Sequence, residues 1–397
     1  TFIAAPCTAR FLADLGAEVI KVEPPMGDPL RYTAVNEGRP LDQKENTSYD
    51  LENAGKTCIS LNTKSEEGRE ALEKLLATAD VFICNWRQSP LKRAGLDWET
   101  LHEKYPKLVY GYVSGYGEKG PDKDLPGFDF TAFYARGGIL GPLRDKNSLP
   151  MLTVQGFGDH QVAMNLAAGV LAALFKAKMT GEGDHVVVSL FHSAIWDISL
   201  MLQASQYGAD STQYPMERWK LGNPLVLCYE TADGQWLQIA MPQYDRHYPI
   251  LMNAMGYPEL ADDARYYPQK NLIPNREEFS AWITAEFKKK TCDEWCKLLD
   301  ANDLPYAIAQ EWDSLLEDKQ AWASDCFYEM SYSNGNKRTL VRPPVLFDQM
   351  GLPPYERGPY LGEQTKDILG ELGYSAEAID ELIKSGAVID MDPALRD

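Results

Sequence analysis

The sequence predicts an α/β protein, a large domain built on a parallel sheet with a smaller α+β domain attached. Three observations carry this. Near-continuous apolar strands alternate with helices at Ala17–Val22, Thr57–Leu61, Asp80–Cys84 and Leu108–Val113, and strands apolar on both faces argue for a parallel sheet covered by helices. Beyond about Gln203 the text turns polar and tyrosine-rich, and a hairpin pattern follows. At 397 residues the chain also exceeds what one core usually organises.

The elements read in order. Phe11 to Leu15 ends a helix that Gly16 caps, and the strand after it runs into Glu23-Pro24-Pro25. Ser65 and Glu66 open an amphipathic helix to Ala79. Leu101 to Tyr105 is helical, as is the long apolar run Val162 to Met179, which leads to strand Val186–Leu190. Strand Val226–Glu230, turn Ala232-Asp233-Gly234 and strand Trp236–Ala240 form a hairpin. Helices follow at Tyr248–Met255, Arg276–Phe287 and Cys292–Ala301, and two more close the chain at Thr365–Leu372 and Ala376–Ser385. The expected organisation is therefore a large domain over 1–202, a linker at 203–224, a small domain over 225–312, a linker at 313–338 and a return to the large domain over 339–397.

Composition excludes several classes. Lys plus Arg is 39 against 58 Asp plus Glu, a net charge of −19, which repels nucleic acid and anionic membrane. The 44% hydrophobic content supports full cores. The richest helix, Val162–Met179, is interrupted by Asn165, Lys176 and Lys178, so no membrane span is expected. Seven scattered cysteines and an opening without a leader point to free thiols in a reducing cytoplasm. The chain opens without Met or the strand that should precede its first helix, as a truncated or offset sequence would. Cys292 and Cys296, four apart on a helix, read as small hydrophobes rather than metal ligands because no second Cys or His pair is near.

Three glycine-bearing motifs carry possible chemistry. Gly115-Tyr116-Gly117-Glu118-Lys119-Gly120 matches a dinucleotide pattern, but Pro121, Asp122, Asp124 and Pro126 forbid the helix such a loop must open. It reads as a Gly-rich loop at a sheet edge. Gly156-Phe157-Gly158-Asp159-His160-Gln161 precedes the long helix. Asp159 is either its N-cap, which position alone favours, or a carboxylate nucleophile or base beside free backbone amides. Asp129, between Phe128 and Phe130 at the start of a helical stretch to Ala135, poses the same choice. Of the five histidines only His160 lies in a catalytic-looking loop; His102, His185, His192 and His247 look structural or exposed. No GxSxG, HExxH or P-loop occurs.

These blocks, in their order and spacing, resemble the family III CoA-transferases along essentially the whole chain. The resemblance rests on Ala13 to Glu23, Gly27-Asp28-Pro29, Arg31, Asn53, Lys56, Asn85-Trp86-Arg87, Gly95-Leu96, Gly115-Tyr116-Gly117, Gly158-Asp159 and Thr180-Gly181-Glu182-Gly183. It looks most like the branch that forms 2-hydroxyacyl-CoA in amino-acid-fermenting anaerobes. The resemblance implies a Rossmann-like large domain, a small domain on two linkers and an interlocked homodimer. It places the catalytic Asp on Asp159, reversing the cap preference, and an auxiliary acid on Asp129. It places CoA-lining positions on Lys64, Asn85, Trp86 and Arg93. No metal or permanently bound cofactor is implied; CoA and acyl-CoA are substrates. The sequence departs from relatives acting on oxalate at Ile3 and Pro24, and at Gly222-Asn223-Pro224-Leu225, where those relatives carry a glycine-rich flap.

The implied reaction moves CoA from an acyl-CoA to a 2-hydroxy acid, 2-hydroxyisocaproate or an aryl-lactate, through aspartyl anhydride and thioester intermediates. Two rivals accompany it. One is an acyl-CoA racemase or epimerase on the same fold, against which stands Phe128, where racemases carry His. The other is a non-catalytic acyl-CoA-binding partner of a 2-hydroxyacyl-CoA dehydratase.

Overall fold

The computed structural model describes residues 1–208, 214–215, 217–351 and 356–396. Of the expected linker at 203–224, residues 209–213 and 216 lie outside the described residues, as do 352–355 and 397 of the C-terminal stretch. The chain forms two compact units. One contains Thr1–Leu140, Leu152–Leu200 and Lys319–Asp397, the other Gly141–Met151 and Met201–Asp318.

The first unit opens with α1 (Ala4–Asp14), ended by Leu15 and by Gly16, whose φ of +93° suits only a residue without Cβ. β1 (Ile20–Glu23) follows, then α2 (Thr47–Asn53), capped by Asn46, and β2 (Thr57–Leu61). α3 (Glu66–Thr78) starts at the Ser65 cap that the sequence marks. β3 (Val81–Cys84), α4 (Gln88–Ala94), α5 (Trp98–Lys104) and β4 (Val109–Ser114) continue the alternation. α6 (Phe157–Thr180), β5 (His185–Ser189) and α7 (Leu190–Asp197) complete this part. β3, β4 and β5 form one sheet, parallel throughout. β1 and β2 pair in parallel in another.

The second unit holds an antiparallel sheet of β6 (Cys228–Glu230), β7 (Trp236–Ile239) and β8 (Tyr306–Ile308). The expected hairpin is there, but its first strand starts at Cys228 because Pro224–Val226 turns as a 3₁₀ helix. Helices Tyr244–Met255, Arg276–Phe287 and Cys292–Asp300 surround it. Cys292 is buried beside Trp295 and Leu299, as the hydrophobe reading expects, and all seven cysteines are free thiols. The chain then forms a hairpin of β9 (Phe327–Ser331) and β10 (Lys337–Val341), and ends with β11 (Val388–Ile389) running antiparallel to β2.

Three expectations need correction. β11 adds an antiparallel strand to a sheet expected to be parallel, and two residues are too few to show a strand period. The loop at 115–120 leaves the middle strand of its sheet, not an edge. Finally, α6 begins at Phe157, five residues before the expected start, and by length and composition it qualifies as a membrane-crossing helix. It is nonetheless a core helix: Val162, Leu166, Ala167 and Val170 are fully buried where it packs on α1, β4 and β5.

Candidate active site

The site is built at the first turn of α6. Gly156 is its N-cap in the left-handed region, φ +80°, and contributes no side-chain cap. Phe157, Gly158 and Asp159 are the first three helical residues, so Asp159 lies inside the turn and the cap reading of this residue fails. The cap comes from elsewhere: Asp129 Oδ1 accepts the Gly158 N–H at 3.1 Å. A Cβ on residue 158 would sit 2.4 Å from that oxygen and 2.3 Å from the Phe133 ring. Glycine is therefore required here for close approach.

Asp129 opens a π-helical turn, Asp129–Ala135, and is only 5% exposed. Its position depends on the loop after β4, because the backbones of Gly115 and Gly127 cross so closely that a Cβ on either would fall within 2.6 Å of the other's Cα. The Gly115-Tyr116-Gly117 block thus serves packing. Asp129 Oδ2 is buried without a hydrogen-bond partner among the described residues.

The two carboxyls are perturbed together. Burial raises Asp129 to about 6, with the amides of Gly158, Gly156 and Phe157 opposing. Burial, then the charge of Asp129, raises Asp159 to about 7, with His160 opposing. Paired desolvated acids that resist double ionisation are a common mark of a working site.

A third acid is present that sequence reasoning missed. Glu52 on α2, 2% exposed, lies 2.8 Å through Oε1 from His160 Nε2. Burial alone would lower the imidazole, but the hydrogen bond and charge of Glu52 raise it. The thiol of Cys7 on α1 is raised well above its usual range by burial and by Glu52. Donor atoms of Cys7, Glu52 and His160 lie within 4.8 Å of one another, close enough to be offered to a metal. As they stand they form a hydrogen-bonded cluster with a protonated thiol. Lys56 closes the group, its ammonium donating to Pro6 O, Glu52 O and Asn53 Oδ1 at 2.7, 2.7 and 2.9 Å. Glu52 left no sequence signal beyond its place next to the Asn53 and Lys56 block.

The positions expected to line CoA lie near the carboxyl ends of β2 and β3, where parallel sheets place ligands. Lys64 is exposed in the loop after β2, and Arg93 is exposed on α4, its guanidinium on Ser89 Oγ at 2.6 Å. Trp86, just after β3, is half-buried against the core. Asn85 Nδ2 donates to Thr1 O at 2.8 Å, and Ile3, two residues on, approaches Gly156. Asn85 is thereby tied to the entry of α6, whereas no hydrogen bond or ion pair among the described residues joins Lys64 or Arg93 to Asp159. A cavity of about 650 Å³ borders β9 and residues 356–364, lined by Lys56, Tyr332 and Arg357 and not by Asp159 or Asp129.

Comparison with solved structures places this architecture in a class. It superposes on a CaiB/BaiF family protein from Brucella suis with a TM-score of 0.78 and 26% identity, covering 94% of this chain and 96% of that one. Residues 1–365 match the profile of CoA-transferase family III, and the chain belongs to that family of CoA-transferring enzymes. Over 384 residues it is 52% identical to cinnamoyl-CoA:phenyllactate CoA-transferase of Clostridium sporogenes, covering 96% of this chain and 93% of that protein. It is 40% identical to (R)-2-hydroxy-4-methylpentanoate CoA-transferase of Clostridioides difficile, covering 98% and 96%.

Proposed function

We propose that the protein transfers CoA from an acyl-CoA to a 2-hydroxy acid, with Asp159 as the covalent nucleophile. The single observation that carries the mechanism is the placement of Asp159 in the first turn of α6 while Asp129 takes over the cap, which leaves the Asp159 carboxylate without a hydrogen bond among the described residues. The two relatives named above, at 52% and 40% identity, are named for acids bearing a 2-hydroxyl, which supports that acceptor class.

In the reaction the Asp159 carboxylate attacks the thioester carbonyl, the C–S bond breaks, and CoA leaves as the thiolate, giving a mixed anhydride. The thiolate then attacks the aspartyl carbonyl, releasing the donor acid and leaving an aspartyl-CoA thioester. The 2-hydroxy acid carboxylate repeats both steps in reverse. One thioester replaces another, so no nucleotide is consumed. The positive end of α6 favours the ionised nucleophile. Lys64, Asn85, Trp86 and Arg93 hold CoA, the two cations meeting its phosphates.

The working unit is a homodimer in the cytoplasm, serving amino-acid fermentation beside a 2-hydroxyacyl-CoA dehydratase. Support for the dimer comes from a stripe of exposed apolar side chains on α6, Leu171, Phe175 and Met179. Quenching turnover with hydroxylamine and mapping peptides tests the mechanism. A hydroxamate on Asp159 is expected, and an unmodified Asp159 under turnover refutes the covalent route. Competing a panel of 2-hydroxy and unsubstituted acids against one donor tests the acceptor class.

A further inference from the structure

The cluster around Asp159 has more negative than positive charge. Glu52, Asp129 and Asp159 converge on the first turn of α6 from α2, the π-helical turn and the helix itself. Lys56 spends its three N–H bonds on two carbonyls and an amide oxygen, none on a carboxylate. Cys7 faces Glu52 from α1 as a neutral thiol. His160, next to Asp159 in sequence, is the side-chain cation that opposes protonation of the nucleophile, and the amino group of Thr1 acts in the same sense. The His160 side chain, 44% exposed, reaches across to α2, where the buried Glu52 carboxylate accepts from Nε2 at 2.8 Å.

We infer that Glu52 and His160 form a positioning dyad: Glu52 fixes the imidazolium against the first turn of α6, and the imidazolium keeps the Asp159 carboxylate ionised for attack. The inference rests on Asp159 being the nucleophile. Its physical logic is that a desolvated carboxylate beside a second acid protonates unless a fixed positive charge opposes this. A fixed cation beside the nucleophile also needs no reorganisation when the substrate arrives. When Asp159 is acylated its charge disappears, and the imidazolium remains balanced by Glu52. The dyad thus serves each uncharged intermediate without leaving a bare cation.

The test compares His160→Asn, His160→Lys, Glu52→Gln and Asp159→Ala in the full chain, with CoA transfer followed from pH 5 to 9. His160→Asn should lower kcat about 10- to 100-fold, leave KM within about threefold and move the acid limb of the rate profile upward. His160→Lys should recover part of kcat, because the charge returns. In Glu52→Gln the titration midpoint of His160, read by NMR, should fall. If His160→Asn keeps the wild-type rate and profile while Asp159→Ala is dead, the dyad is wrong and the nucleophile stands. A rate loss in His160→Asn uniform across pH, with a lowered melting temperature and no recovery in His160→Lys, marks a structural role and overturns the inference. Active Asp159→Ala protein would remove the reading beneath it. Should Glu52→Gln fail to fold, the two His160 variants still decide.

Discussion

Glu23 and Asp28 are each 1% exposed, buried at least as deeply as Asp129, yet their protons behave in the opposite way. Glu23 receives the guanidinium of Arg31 through both oxygens, at 2.8 and 2.9 Å, with the Tyr49 hydroxyl and the Asp28 amide besides. Burial pushes it up, but Arg31, Lys21 and Tyr49 together hold it below the usual range. Asp28 accepts from Lys21 at 2.8 Å and from the Leu30 amide, and is held down at about 2 against burial. At Asp129 and Asp159 burial prevails. The two regions share a unit, and Asp129 is buried as Glu23 and Asp28 are while Asp159 is half-buried; they differ in how many donors face each oxygen. Saturated carboxylates there fix the chain between β1 and α2, whereas under-donated ones remain reactive.

The sharpest test removes the under-donated carboxylate. Asp159→Ala should reduce transfer by about 10⁴-fold or more, since without a covalent intermediate the carboxylates must exchange CoA directly. Its melting temperature should match or exceed that of the wild type, because a desolvated acid is lost. A large drop in stability would assign Asp159 to the saturated class and erase the contrast.

The mirror experiment acts on the other region. Glu23→Gln strands Arg31, Lys21 and Tyr49 around a neutral amide, and breaking a buried pair costs about 3–5 kcal/mol. Denaturant unfolding should show that loss, while the rate per folded molecule stays close to wild type. A loss below 1 kcal/mol would mean that the bidentate pair contributes nothing beyond solvation.

How much of this was legible depends on distance along the chain. Strand Thr57–Leu61 and helix Arg276–Phe287 match their expected ends, because their signals are local: an apolar run in one, and in the other an apolar face behind Asn275 and two first-turn acids. The start of α6 differs from the expected one because Gly156-Phe157-Gly158 has the composition of a turn, glycine being a poor helix former. What makes those residues helical is a cap donated by Asp129, 29 positions away. Glu52 meets His160 across 108 positions, beyond any periodicity argument. Asp159 and Asp129 became candidates through their glycine neighbours, whose physical need is close approach at Gly158 and a left-handed backbone at Gly156. Residues such as Glu23, Asp28 and Arg31 carried the family resemblance yet belong to the structural network.

A subtler variant separates charge from cap. In Asp129→Asn the side-chain oxygen can still accept from Gly158, but its charge, the second cause of the raised Asp159 value, is gone. The acid limb of kcat/KM should then move to lower pH by about one unit, worth about 1.4 kcal/mol. An unchanged limb would show that burial alone sets Asp159.

The smallest effect concerns stability, and its sign follows from the same contrast. Asp159, Asp129 and Asp50 have folded values raised above their unfolded ones, to about 7, 6 and 6. The folded chain therefore binds more protons, and the stability they contribute is present at low pH and lost as pH rises from about 4 through 7. Asp28, lowered to about 2, contributes stability above about 4 that is lost as pH falls. Between them the chain should be most stable near pH 4–5, as far as these groups decide. Asp159→Asn removes one of the raised groups, so the difference in stability from wild type should grow across pH 4 to 7 and then level off, by about 1–2 kcal/mol given partial exposure to water. Melting curves at half-unit steps would show it. A difference that is flat across that range would mean Asp159 titrates alike in both states, and the proposed difference between the two sets of carboxylates would lose its most reactive member.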